Sequence, residues 1–118
     1  MNLKFENVED VLVVYVNELK FTNLSASDFR DRMQNKINEG ATKVLINLEK
    51  VNYMDSAALG SIIAVYNHLN SFADSNELSP KFAICSLNKS VDFLFSMLRI
   101  NGIIGLYENQ EMAIIKMK

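Results

Sequence analysis

The spacing of apolar residues along this chain alternates between two periods. Val11-Leu12-Val13-Val14-Tyr15-Val16 is a continuous, β-branched run that predicts a strand. Leu3-Lys4-Phe5-Glu6 precedes it, separated by Asn7 to Asp10, and the two are expected to form an antiparallel pair. A helix follows: Ser25 with Asp28 three positions on resembles a capping box, Phe29, Met33 and Ile37 give one apolar face, and Gly40 supplies the stop. Lys43 to Leu48 is a second buried strand. An uncharged helix then runs from about Ala57 to Phe72, with Leu59, Ile62, Ile63, Tyr66 and Leu69 expected on its inner face. Asp74 to Pro80 is a loop and Lys81 to Ser86 a third core strand. Asn88 or Ser90 caps a helix bearing Val91, Leu94, Phe95 and Leu98, which Asn101-Gly102 breaks. A short strand from Ile104 to Tyr107 and a helix from Asn109 to about Lys116, with Met112 and Ile115 inward, finish the pattern.

Strand and helix repeat in this way without internal repeats or low-complexity segments. The pattern predicts an α/β fold: a mixed, mostly parallel sheet joined by right-handed crossovers, an antiparallel N-terminal strand and about four helices, most of them on one face. With 118 residues, 49% of them hydrophobic, one domain over residues 1–118 is expected, with enough apolar material for an ordinary core.

Charge narrows the function classes. The net charge is −2, and lysines and arginines are scattered rather than gathered in a stripe, so no direct nucleic-acid partner is expected. Between Asp55 and Asp74 there is no charged side chain, but Ser56, Ser61, Asn67, His68, Asn70 and Ser71 make the stretch too polar to insert in a membrane. It reads as a helix covered by its own fold or docked on another protein, where interface cores are poor in charge. Cys85 has no second cysteine to pair with, and the N-terminus lacks a basic region followed by an apolar run, so a cytoplasmic location is expected.

The candidate chemistry lies where Val44 to Leu48 leads through Tyr53-Met54 into the uncharged helix, with Ser56 at its mouth. Unpaired backbone N–H groups and the positive end of the helix dipole favour a phosphate there. Ser56 is equally a preferred N-cap type, and so is Asp55. Phosphorylation would add about −1.5 to −2 charge. A partner packed on an uncharged helix would then have to bury that charge at a cost of several kcal/mol, about a hundredfold or more in affinity.

Met54-Asp55-Ser56-Ala57-Ala58-Leu59-Gly60, the strand ending Asn47-Leu48 and the later Asn88, Val91, Phe95, Gly102 and Ile104 resemble, over essentially the whole chain, the STAS domain of bacterial anti-sigma factor antagonists. The resemblance implies that Ser56 is the residue phosphorylated by an anti-sigma factor that is also a serine kinase. The unphosphorylated form then binds that partner and frees a sigma factor, and a phosphoserine phosphatase has a place as a further partner. It implies a partner surface of Asp55, Ser56, Ala57, Ala58, Gly60 and Ser61 with Asn17, Lys20 and Thr22 from the loop Asn17 to Asn23, on a monomer or weak dimer. No cofactor or metal is expected, since ATP and its metal would belong to the kinase.

Two positions depart from the family pattern. Asn17-Glu18-Leu19-Lys20 stands where Gly-Glu-Leu-Asp is common, so Lys20 replaces an acid that helps engage the kinase, and Ala58 replaces a frequent glycine. Lys20 keeps open a second reading, a phosphorylation-independent STAS adaptor such as a lipid-transporter subunit. A third, a small enzyme with Ser56 as nucleophile, needs a base; the single histidine, His68, lies about 18 Å along the same helix, and no Gly-x-Ser-x-Gly elbow is present. His68 is expected as a surface or partly buried polar residue, Cys85 and the methionines as core filling, and Glu39, Glu49, Asp74 and Glu77 as solvated surface.

Overall fold

A computed structural model describes residues 1–118. Its strands are β1 (Leu3–Val8), β2 (Val11–Val16), β3 (Lys20–Phe21), β4 (Lys43–Asn47), β5 (Tyr53–Met54), β6 (Lys81–Cys85) and β7 (Gly105–Tyr107). Its helices are α1 (Ala26–Asn38), α2 (Ser56–Ser75), α3 (Lys89–Met97) and α4 (Gln110–Met117). Five strands form one sheet in the order β1-β2-β4-β6-β7, with β1 antiparallel to β2 and every other pairing parallel. The fold class is therefore the expected one: four helices on a mixed sheet.

The continuous apolar runs form the middle strands because both faces of the sheet are covered there, and alternate side chains point to opposite faces. Leu12, Val14, Val16, Val44, Ile46 and Ile84 face the larger core, into which α1, α2 and α3 send Phe29, Met33, Ile62, Val65, Leu69 and Phe95. Val11, Val13, Leu45, Ala83 and Cys85 face the other way and meet α4 through Ala113, Ile114 and Met117. Three helices thus share one face and α4 stands alone on the other.

Several elements differ from the pattern reading. β1 continues to Val8, so the reversal is only Glu9-Asp10, with Glu9 in the left-handed region (φ 59°). Ser25 occupies the N-cap of α1 without a side-chain cap bond, and Asp28 pairs with Arg32 at 3.7 Å instead of closing a capping box. Gly40 does terminate α1 in a left-handed conformation, φ 115°. α2 runs through Ser75 and buries Val65 fully, while Ile63 and Tyr66 are only half-buried. α3 ends before Asn101-Gly102 because Arg99 turns left-handed (φ 55°); Val91 and Phe95 are inward, Leu94 is half-buried and Leu98 is exposed.

In α4 the inward stripe is Ala113, Ile114 and Met117, not Met112 and Ile115, which are 46% and 61% exposed. Gln110 begins that stripe at i, i+3, i+4, i+7 spacing. Its polarity hides the stripe in the sequence, but its amide is bonded on both sides, to Asn47 Nδ2 (3.0 Å) and to the Tyr15 hydroxyl (3.0 Å).

Candidate functional site

The site is built where β4 hands over to α2. The chain leaves the sheet after Asn47 and makes a turn in which Val51 N–H donates to the Leu48 carbonyl. It then forms β5, whose partner is β3: Lys20 lies opposite Tyr53 and Phe21 opposite Met54 in a two-residue parallel ladder. Neither strand was expected from the sequence, because two residues are too few to show a period. Phe21 and Met54 point inward, and the Phe21 and Phe29 rings meet at 4.9 Å, so the small ladder is anchored on the core.

Asp55 joins this platform to the helix. Its Oδ1 accepts from Ala58 N–H at 2.9 Å, capping α2, and its Oδ2 accepts from Asn23 N–H at 2.9 Å in the loop after β3. Its own N–H donates to the Phe21 carbonyl at 3.3 Å. One carboxylate therefore serves two backbone donors from segments distant in sequence, and its negative charge sits at the positive helix end. Of the two residues the sequence allowed as N-cap, Asp55 has the role and Ser56 does not.

Ser56 is the first residue of α2. It is exposed, and its hydroxyl makes no hydrogen bond within the chain. Ala57 and Gly60 are exposed on the same first turn, and a Cβ added at Gly60 would meet nothing within 4 Å. The remaining predicted residues divide. Ala58 is fully buried and Ser61 nearly so, its hydroxyl donating to the Ala58 carbonyl at 2.6 Å; both support the turn from within and offer no side chain to a partner. Their burial comes from packing, since an uncharged sequence gives no sign of which side of α2 faces out. Lys20 is exposed at the β3 edge beside Tyr53, and Thr22 is half-buried with Oγ1 accepting from Leu24 N–H. Asn17 belongs to the end of the β1–β2 pair, its N–H donating to the Asn2 carbonyl, and no hydrogen bond joins it to Ser56.

Three apolar residues that the sequence did not single out flank the site. Leu19, Leu24 and Tyr53 are 67%, 92% and 51% exposed. Leu19 is held there because its carbonyl accepts from both Asn52 and Tyr53 N–H, and Leu24 because it follows the latched Asn23. A polar-out rule for loops would have hidden them; their only sequence signal was apolar residues in segments without a core period.

His68 is tied to α1, its Nε2 2.8 Å from Asn38 Oδ1, and does not approach Ser56. Cys85 is buried on the α4 side of the sheet, and burial pushes its thiol pKa up, which suits packing rather than nucleophilic work. No helix is long and apolar enough to cross a membrane.

Known proteins share this fold. The family model of the STAS domain matches residues 2–113. The fold is similar to that of TM1081 from Thermotoga maritima, a candidate anti-sigma factor antagonist, with a TM-score of 0.85 and 24% identity over 98% of this chain and 93% of that one. SpoIIAA, the Bacillus cell fate determinant, in its phosphorylated form gives 0.72 and 16% over 99% and 100%. The murine anion transporter Slc26a9 also gives 0.72, at 10% identity, over 93% of this chain and 18% of the transporter. At these identities the structural likenesses establish the fold; the family match covers nearly the whole chain, and the protein belongs to the STAS domain family.

Proposed function

We propose that this protein is an anti-sigma factor antagonist working by partner switching: unmodified, it captures an anti-sigma factor that is also a serine kinase, and phosphorylation of Ser56 releases it. The observation that carries the reading is the division of labour at the mouth of α2. Asp55 alone provides the cap and the latch to Asn23, so the Ser56 hydroxyl is free for modification without cost to the fold. The added charge sits beside exposed N–H groups in the free protein and is tolerated there; against a docked partner it is uncompensated. The likeness to a cell fate determinant known in a phosphorylated form supports the same reading. Asp55, Ser56, Ala57, Gly60, Lys20 and Thr22 form the centre of the contact surface in this proposal, and the kinase brings the ATP and metal. The setting is the cytoplasm, with the protein a monomer or weak dimer and a phosphatase restoring the unmodified form.

A constitutive STAS adaptor is the second reading, favoured by exposed Lys20 at the position where the resemblance places an acid, and by the likeness to a transporter. Mass spectrometry of the protein from its own cells, in growth and under stress, separates the two. Phosphate on Ser56 whose occupancy changes with condition is the expected result, and its absence in every condition leaves the adaptor. Gly60→Arg is a complementary probe: the open space above Gly60 leaves stability unchanged or raised by about 0.5–1 kcal/mol, while capture of the partner is lost.

A further inference from the structure

We infer that the partner reading Ser56 does not stop at the mouth of α2 but extends over α3, with Phe93, Met97 and Ile103 as its apolar anchors. The inference rests on the antagonist reading and specifies its interface.

α3 carries an unusual exposed side. Val91 and Phe95 are buried, whereas Phe93 and Met97, one turn apart on the outward side, are 67% and 63% exposed, and Ile103 in the following turn is 58% exposed. This surface is mechanically part of the Ser56 site. The Ser90 hydroxyl donates to the Asn52 carbonyl at 2.7 Å, and Asn88 Nδ2 donates to the Val51 carbonyl; α3 also packs against β5. Val51 and Asn52 are the residues that lead into Tyr53, Asp55 and Ser56. Phe93 and Met97 thus stand exposed on an element hydrogen-bonded to the same loop that carries Tyr53 and bonds to Leu19.

Size and direction both favour this extension. A stable protein interface takes about 800 Å² and about 20–30 residues from each partner, and Ser56, Ala57 and Gly60 are among the smallest side chains available. The contact must therefore spread from them. On one flank α1 exposes Arg30, Asp31 and Asn35, whose desolvation opposes association. On the other flank α3 also exposes Lys89 and Asp92, but among them stand a phenylalanine and a methionine, types enriched at interfaces, whereas α1 exposes no large apolar side chain. The occupant is accordingly the protein that reads Ser56, with a face that takes the serine hydroxyl at one end and an apolar groove for Phe93 and Met97 at the other.

A photo-crosslinking amino acid placed at Ala57, and separately at Phe93, in the full chain in its own cells tests this, with each version also made in a Ser56→Asp background. The expected result is one and the same protein crosslinked at both positions, with both yields falling at least tenfold when Ser56 is aspartate. Crosslinking at Ala57 alone, or at Phe93 to a second copy or to lipid, overturns the extension while leaving the antagonist reading intact, as does a Phe93 product insensitive to Ser56→Asp. Loss of a common partner at both positions overturns the two together. With the crosslinked partner purified, Phe93→Ser with Met97→Ser weakens its binding tenfold or more, while thermal melting of the variant stays within a few degrees of the parent.

Discussion

The mouths of α2 and α4 use the same cap chemistry and lie on opposite faces of the sheet. At α4, Asn109 Oδ1 accepts from Met112 N–H at 2.9 Å, and the next side chain, Gln110, is bonded to both Asn47 and Tyr15. At α2, Asp55 Oδ1 accepts from Ala58 N–H, and the next side chain, Ser56, is bonded to nothing. A capped helix end is a structural commonplace; it becomes a candidate switch only when the first helical residue is freed from structural duty. The second difference is the other carboxylate oxygen of Asp55, which holds Asn23 and so ties the loop that bears Leu24, and follows the Lys20–Tyr53 ladder, to the residue before Ser56.

The contrast is broken most strongly at Ser56. Ser56→Asp is expected to lower partner affinity about a hundredfold or more while shifting the unfolding free energy by less than about 0.5 kcal/mol, whereas Ser56→Ala binds constitutively. Comparable losses of binding and stability would make Ser56 structural, as Gln110 is. Asp55→Ala removes a cap and a latch at once and should cost about 2 kcal/mol in denaturant unfolding, with hydrogen exchange at Asn23 and Ala58 accelerated together. Asn109→Ala at the other mouth removes only a cap and should cost about 1 kcal/mol, with no change in partner capture. Equal costs for these two substitutions would show that the Asn23 bond contributes nothing.

The smallest effects concern pH, and neither involves the Ser56 mouth. The Asp10 carboxylate pairs with Lys43, whose hydrogen bond holds its pKa below the ordinary value. A depressed carboxylate stabilises the folded state above its unfolded pKa and loses that contribution as pH falls through the folded one, so Asp10→Asn should flatten the acid limb of the stability profile slightly. Cys85 behaves in the opposite sense. Burial raises its pKa, so its neutral form stabilises the fold at neutral pH and that contribution is lost as pH climbs through the raised value. In the folded protein at neutral pH the thiol should resist a thiol reagent that titrates it fully after unfolding.

Much of this protein was legible in the order of its residues. The runs Val11 to Val16, Lys43 to Leu48 and Lys81 to Ser86 announce the central strands, because a strand covered on both faces needs apolar side chains at every position. Gly40 announces the end of α1, and the sequence around Asp55-Ser56 announces a helix mouth with uncommon chemistry and a family. These are local signals, carried by neighbours within a turn or a strand.

What tertiary structure alone decided was which side of each element faces out and which group performs each duty. An uncharged α2 gives no orientation by itself, and only packing buries Ala58 and Ser61 while leaving Ser56, Ala57 and Gly60 outside. Gln110 looked like an interruption in α4 until Asn47 and Tyr15, far away in sequence, satisfied its amide and turned the helix toward Ala113, Ile114 and Met117. Asp55 rather than Ser56 holds the cap, and the loop after β3 brings Asn23 to its second oxygen. Hydrogen-bond partners supplied from distant segments choose between locally equivalent residues, and that choice, invisible in the local pattern, left the serine free.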